Sequence, residues 1–273
     1  MRSFILIFIL SFSFACLSAQ APLQRGHAHN DYMNDAPLFD ALDHGFKSIE
    51  IDVCLDGNNL KVAHGKTFLK LKQTLEEMYL DPLREWIRLN GGTVYKNDTL
   101  PLVLMIDLKG DGRKSYPVLH SILSRYENIL TVYEGTKVRR GPVRVCVSGS
   151  RPYELILAQE KRYVTIDGPI DRLVYSSMLP TELERVSAPY GDFFRWRGSG
   201  KMPEKEKKML DDLVENAHRY GREIRFYAAG NSGKVWKELL DAGVDWINVD
   251  NLGKFRNFYR RYSRSGTTAP DNP

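Results

Sequence analysis

From Gly26 to Tyr262, short apolar runs of strand length alternate with amphipathic runs of helix length, eight of each. This alternation constrains the fold more than any other feature. Strand–helix pairs in that number close into a barrel, because each right-handed crossover lays the next strand parallel beside the last. Strands are expected over Arg25–Asn30, Ser48–Leu55, Leu102–Lys109, Pro142–Gly149, Tyr163–Gly168, Phe193–Gly198, Glu223–Gly230 and Trp246–Asn251. Helices are expected over Pro37–His44, Leu71–Asn90, Ser115–Tyr126, Arg151–Gln159, Pro180–Val186, Glu204–Tyr220, Ser232–Ala242 and Gly253–Tyr262. In Glu204–Tyr220, Met209, Leu210, Leu213 and Ala217 share one face. Gly45, Gly221 and Gly243 stand where helix C-terminal stops belong. A doubly wound open sheet is the competing architecture, but it favours fewer strands and a glycine-rich first turn. The first turn here reads His29-Asn30-Asp31-Tyr32. The expected fold is α/β, a single TIM-type (β/α)8 barrel. A short ribbon is expected between Val53 and His64, and a small hairpin between Glu127 and Gly141.

The chain's 273 residues suit one such barrel. The barrel is expected over residues 20–262, with residues 263–273 a polar, disordered tail. Residues 1–19 have the layout of a secretory signal peptide: Arg2, an apolar run from Phe4 to Phe14, then small residues ending at Ala19. A secreted or periplasmic protein follows from that reading. The apolar run is too short for a comfortable membrane span, and no later stretch could form one. A lipid anchor on Cys16 is disfavoured, because Ser13-Phe14-Ala15 lacks the usual leucine. Cys54 and Cys146 read as buried thiols on separate strands, although an oxidising compartment would permit a disulfide. The formal charge of +5 is too small and too scattered to point to nucleic acid. The sequence does not encode the oligomeric state legibly, and a monomer is the default.

In a β/α barrel the C-terminal ends of the strands converge on one site. Side chains alternate faces along a strand, so His27 and His29 share a face, as do Glu50 and Asp52, and Asp107 and Lys109. Charges facing a barrel interior are costly unless paired or bound to metal. Three carboxylates with an amide oxygen suit one hard divalent cation, Ca²⁺ or Mg²⁺. Histidines beside it could move protons near neutral pH, and a lysine could hold one oxygen of an anionic substrate. Each group also has a plain reading: Glu50 and Asp52 as interior ion pairs, His64 as a surface-turn residue, Asp107 and Lys109 as a structural pair.

The motifs HAHNDY (His27–Tyr32), SIEIDV (Ser48–Val53), VAHG (Val62–Gly65), LMIDLK (Leu104–Lys109) and DAGVDWINVDNL (Asp241–Leu252) together resemble the phosphatidylinositol-specific phospholipase C-like superfamily. That superfamily includes glycerophosphodiester phosphodiesterases and spider-type sphingomyelinases D. The likeness is nearest to its bacterial and fungal branch and covers nearly all of the chain after residue 19. The resemblance implies a phosphodiesterase acting on a small-molecule or lipid-derived phosphodiester. His29 and His64 would be the catalytic histidines, Asn30, Glu50, Asp52 and Asp107 the metal ligands, and Lys109 a phosphate contact. A match through Gly26-His27 would instead make His27 catalytic; otherwise His27 supports the site or touches phosphate.

Further rim candidates are Arg195 and Arg197, placed on the expected sixth strand to grip a second anionic group, and Asn248 and Asp250 on the eighth, placed to bond the histidines or close the barrel. Ser148 and Ser150 could contact substrate, but no nucleophile elbow surrounds Ser148. A zinc hydrolase could also begin with His27-x-His29, yet needs histidines at later strand ends. Here only His120 and His218 follow His64, both in expected helices. A secreted binding protein for phosphorylated ligands is the non-enzymatic alternative.

Overall fold

Eight parallel strands close on themselves in the computed structural model, which describes residues 22–67, 72–173 and 177–265. The expected signal peptide and the tail from residue 266 lie outside the described residues. In chain order the elements are β1 (Leu23–Ala28), α1 (Phe39–His44), β2 (Phe46–Asp56), β3 (Asn59–Val62), a π-helical turn Glu76–Leu80 running into α2 (Asp81–Leu89), β4 (Leu102–Lys109), α3 (Gly112–Ser124), β5 (Val132–Glu134), β6 (Lys137–Arg139), β7 (Val143–Gly149), α4 (Tyr153–Leu157), β8 (Lys161–Arg162), β9 (Val164–Pro169), a 3₁₀ turn Ile170–Leu173, β10 (Leu183–Pro189), α5 (Tyr190–Phe193), α6 (Glu204–Arg219), β11 (Glu223–Tyr227), α7 (Gly233–Asp241), β12 (Trp246–Val249) and α8 (Leu252–Arg264). The barrel runs β1-β2-β4-β7-β9-β10-β11-β12 and closes where β1 pairs with both β12 and β2. Antiparallel β3 forms the expected ribbon on β2, and β5 and β6 form the expected hairpin.

The apolar core lies mainly between strands and helices, where Ile49, Ile51, Leu104, Ile106, Val145 and Val147 meet Leu83, Leu119, Leu123 and Ile156. Inside the barrel the apolar part is small: Val103, Met105, Cys146 and Trp246. The rest of the lumen is polar, so strand pairs such as Glu50/Asp52 and Glu223/Arg225 break the apolar pattern. Cys54 and Cys146 are buried free thiols, as expected.

Two expectations need correction. The sixth barrel strand is β10, where a helix was expected over Pro180–Val186; Phe193–Gly198 is not a strand. Glu184 and Arg185 give Leu183–Pro189 a helical, charged look, yet both are buried. Their charges are matched inside, Glu184 with Arg144 at 3.2 Å and Arg185 with Glu223 at 3.3 Å. The basic charge, although spread along the chain, is locally dense on one helix. Lys254, Arg256, Arg260, Arg261 and Arg264 all fall on α8, which carries no carboxylate and buries its opposite face through Leu252, Phe255 and Tyr262.

Candidate active site

The register sets polar strand residues side by side around the upper lumen. Asp52 lies beside Asp107, Asp107 beside Ser148, Ser187 beside Arg225, and His27 beside Asn248. The rim opens into a cavity of about 520 Å³ whose lining includes His29, Glu50, Asp107, Lys109, Asp167 and Arg225. Glu50, Asp52 and Asp107 each offer a carboxylate oxygen, and the three oxygens lie within 4.8 Å of one another. Close packing permits this: a Cβ on Gly149 would stand 2.4 Å from Asp107 Oδ1, in a backbone with φ of +70°.

Asp52 carries the clearest mark of a ligand. Its Oδ2 accepts from Tyr32 (2.8 Å), is 2.6 Å from His64 Nδ1 and 3.2 Å from Lys109 Nζ, while buried Oδ1 has no hydrogen-bond partner. Lys109 also lies 3.0 Å from Asp107 Oδ1, and Ser148 donates to Asp107 Oδ2 at 2.9 Å. Burial works against the Lys109 charge, but Asp107 and Asp52 outweigh it and raise the ammonium pKa. Burial would raise Glu50 too; Arg225 and His27 reverse that and hold its carboxyl well below the usual range. An all-oxygen, anionic set with a bare buried oxygen fits a hard divalent cation. Among the described residues this is the one such cluster, and it contains no His or Cys, unlike a zinc-hydrolase site.

The histidines separate by depth. His29 lines the cavity, 30% exposed, with Nδ1 2.8 Å from Asp250 Oδ1; Asn231 donates to Asp250 Oδ2 at 3.1 Å. His64 is 76% exposed, outside the cavity lining, and tied to Asp52. His27 is fully buried, 2.7 Å from both Ser48 Oγ and Glu50 Oε2. Burial, reinforced by Arg225, pushes its pKa down to about 3. The substrate contact expected of His27 is therefore corrected: the ring is sealed below the rim and stays neutral. Asn30, two residues past the end of β1, lies in the left-handed region, φ 49°, and does not line the cavity. The loop after it is anchored by buried Asp31, which accepts from Leu38 N–H (2.6 Å) and Tyr79 (2.8 Å).

Asn248 faces inward but accepts from Arg225 at 3.0 Å, so it supports the interior rather than touching a histidine. Arg195 and Arg197 are corrected with their strand. They follow α5 outside the cavity lining, and Arg197 donates to the carbonyls of Phe194 and Trp196 and stacks on Tyr190. Sequence reasoning missed Arg225, Asp167, Ser187, Arg151 and Tyr227, all of which line the cavity. The alternation Glu223-x-Arg225-x-Tyr227 carried the signal that exposed Glu50-x-Asp52.

A closed β/α barrel with acidic groups, a lysine and a histidine gathered at its mouth is the architecture of barrel phosphodiesterases. Solved structures agree on the fold. A glycerophosphodiester phosphodiesterase from Parabacteroides distasonis superposes with a TM-score of 0.56 at 15% identity, covering 89% of this chain and all of that one. Another from Agrobacterium tumefaciens gives 0.50 at 16% identity, covering 87% of this chain and all of that one. The chain belongs to the family of the AIM6-like phosphodiesterase domain, whose model matches residues 17–167. Its relatives include altered inheritance of mitochondria protein 6 from Eremothecium gossypii, 28% identical over 86% of this chain and 69% of that protein. The Kluyveromyces lactis protein of the same name is 27% identical over 85% of this chain and 71% of its own length.

Proposed function

We propose that the protein is a divalent-cation-dependent phosphodiester hydrolase, exported as a monomer by its N-terminal segment, that acts on glycerophosphodiester- or phosphoinositide-type substrates. The observation that carries this reading is the bare, buried Asp52 Oδ1 within the carboxylate cluster, beside a cavity-facing histidine. Glu50, Asp52 and Asp107 would hold Ca²⁺ or Mg²⁺, with Asn30 as a fourth ligand. When bound, the cation supplies positive charge for the phosphoryl oxygens.

The chain's own groups account for the remaining chemistry. Asp250 holds His29 through Nδ1 and leaves Nε2 for proton transfer; Asp52 does the same for His64. One histidine takes a proton from the attacking oxygen as its bond to phosphorus forms. The other gives a proton to the alkoxide as its bond to phosphorus breaks. Attack by a neighbouring substrate hydroxyl gives a cyclic phosphate first, whereas attack by water gives the monoester directly. Lys109 draws a phosphoryl oxygen toward the cluster.

The test is hydrolysis of bis(p-nitrophenyl) phosphate and a panel of glycerophosphodiesters with Ca²⁺, Mg²⁺ or chelator, beside His29→Ala and His64→Ala. Cation-dependent turnover lost in both variants supports the reading. Absence of turnover on every diester by folded, cation-loaded protein would move the reading to a binding protein.

A further inference from the structure

Arg225 crosses the lumen beneath the carboxylate cluster, with its side chain 5% exposed. It sits on β11 and reaches five other strands, the contact to β1 being Nη1 to His27 Nε2 at 2.7 Å. Nη1 donates to Glu50 Oε2 on β2 (2.7 Å) and to Asn248 Oδ1 on β12 (3.0 Å). Nε donates to Ser187 Oγ on β10 (3.1 Å), and Nη2 lies 3.4 Å from Asp167 Oδ2 on β9. Ser187 in turn donates to Asp167 Oδ1 at 2.7 Å, so the mooring is itself braced.

We infer that Arg225 is a positioning residue: it fixes the rotation of Glu50 by occupying Oε2, leaving Oε1 as the oxygen available to a cation. The inference rests on the cation site proposed above. A planar guanidinium is suited to this task because its donors point in fixed directions and can satisfy several strands at once. An ammonium in its place would keep the charge but could not bridge Glu50, Ser187 and Asp167 together. His27 Nε2 stands 2.7 Å from Glu50 Oε2 and 2.7 Å from Arg225 Nη1, so the three groups meet in one tight contact. Groups that orient a metal ligand in this way control affinity without touching the ion, and their loss weakens binding by roughly 10–100-fold.

The test is calorimetric titration of the purified, chelator-stripped protein with MgCl₂ and with CaCl₂, beside Arg225→Lys and Ser187→Ala, with thermal unfolding of each metal-free variant. Arg225→Lys should bind the cation about 10–100-fold more weakly, and Ser187→Ala several-fold more weakly. At saturating cation the KM for a diester should stay near wild type and kcat should largely recover. Wild-type cation affinity in folded Arg225→Lys would overturn the inference, whatever its melting temperature. If Arg225→Lys does not fold, Ser187→Ala decides: unchanged affinity there overturns it and weakened affinity supports it. A wild-type protein that binds neither cation would overturn the cation site itself, a result distinct from the failure of Arg225 alone.

Discussion

The two ends of the barrel lumen both hold charged clusters, but only one is balanced. At the floor, Glu184 and Glu223 meet Arg144 and Arg185, with Arg144 2.7 Å from Glu223 and Trp246 Nε1 donating to Glu223 at 2.6 Å. At the rim, Glu50, Asp52, Asp107 and Asp167 meet Lys109 and Arg225, and Arg151, Asp171 and Asp192 also line the cavity. The rim therefore carries an excess of negative charge, the sign that a bound cation would offset. The same inward-facing charges thus serve closure at one end and give an acidic excess at the other. Matched pairs bring little net stability but are costly to break, whereas an unmatched cluster invites a ligand.

The largest effect should come from the rim's chemistry. If its acidic excess serves catalysis, His29→Ala should lower kcat about 10²–10⁴-fold while leaving the thermal midpoint close to wild type, as read by diester hydrolysis and calorimetry. Retained turnover would remove His29 from the reaction.

At the floor, Glu223→Gln should leave Arg185 and Arg144 short of a counter-charge. Because Glu223 is partly exposed, the cost should fall toward the low end of the roughly 3–5 kcal/mol typical of breaking a buried pair. Denaturant unfolding would measure it, and the loss should not depend on added cation. A cation-dependent loss would erase the contrast between the two ends.

Asp107→Asn should act in the opposite sense. Removing one rim carboxylate relieves like-charge repulsion, so the cation-free protein should gain up to about 1 kcal/mol while losing its cation-induced rise in melting temperature. Parallel melts with chelator and with Mg²⁺ or Ca²⁺ would show both.

The smallest effect belongs to a pair outside the lumen. His218 Nε2 lies 2.9 Å from Asp245 Oδ2, and that hydrogen bond raises the histidine above its usual 6.5 despite some burial. The folded state then binds the proton more tightly than the unfolded chain. The stabilisation is complete below pH 6.5 and is lost as pH rises through the raised value. With the side chain 35% exposed, it should amount to less than about 1 kcal/mol. His218→Gln should flatten that limb of the stability–pH curve, and an unchanged limb would assign the pH dependence elsewhere.

Most of the fold was legible because seven of the eight barrel strands keep enough apolar or β-branched residues to stand out between helices. Strand β10 failed because its counter-charges, Arg144 and Glu223, come from β7 and β11, and local patterning carries no knowledge of spatial neighbours. The acidic rim was legible because each charged pair breaks a strand at its C-terminal end. Arg225 was not, since an isolated arginine in a strand looks alike whether it ends in solvent or bridges five other strands. The depth difference between His27 and His29 was hidden for a related reason: alternation puts both on the lumen face without saying which lies below the rim.

The basic face of α8 has a practical consequence. Removing its five cations from the chain's 39 Lys and Arg leaves 34, matching the 34 Asp and Glu. In formal charge, then, the rest of the full sequence sums to zero, and α8 sets a concentrated strip of positive charge on one flank of the barrel wall. On a cation-exchange bead the molecule should lie on that flank, with its mouth facing sideways into the liquid rather than pressed against the resin. Retention would report one thirteen-residue helix, and the adsorbed protein would be an oriented layer, open to small molecules in the flow.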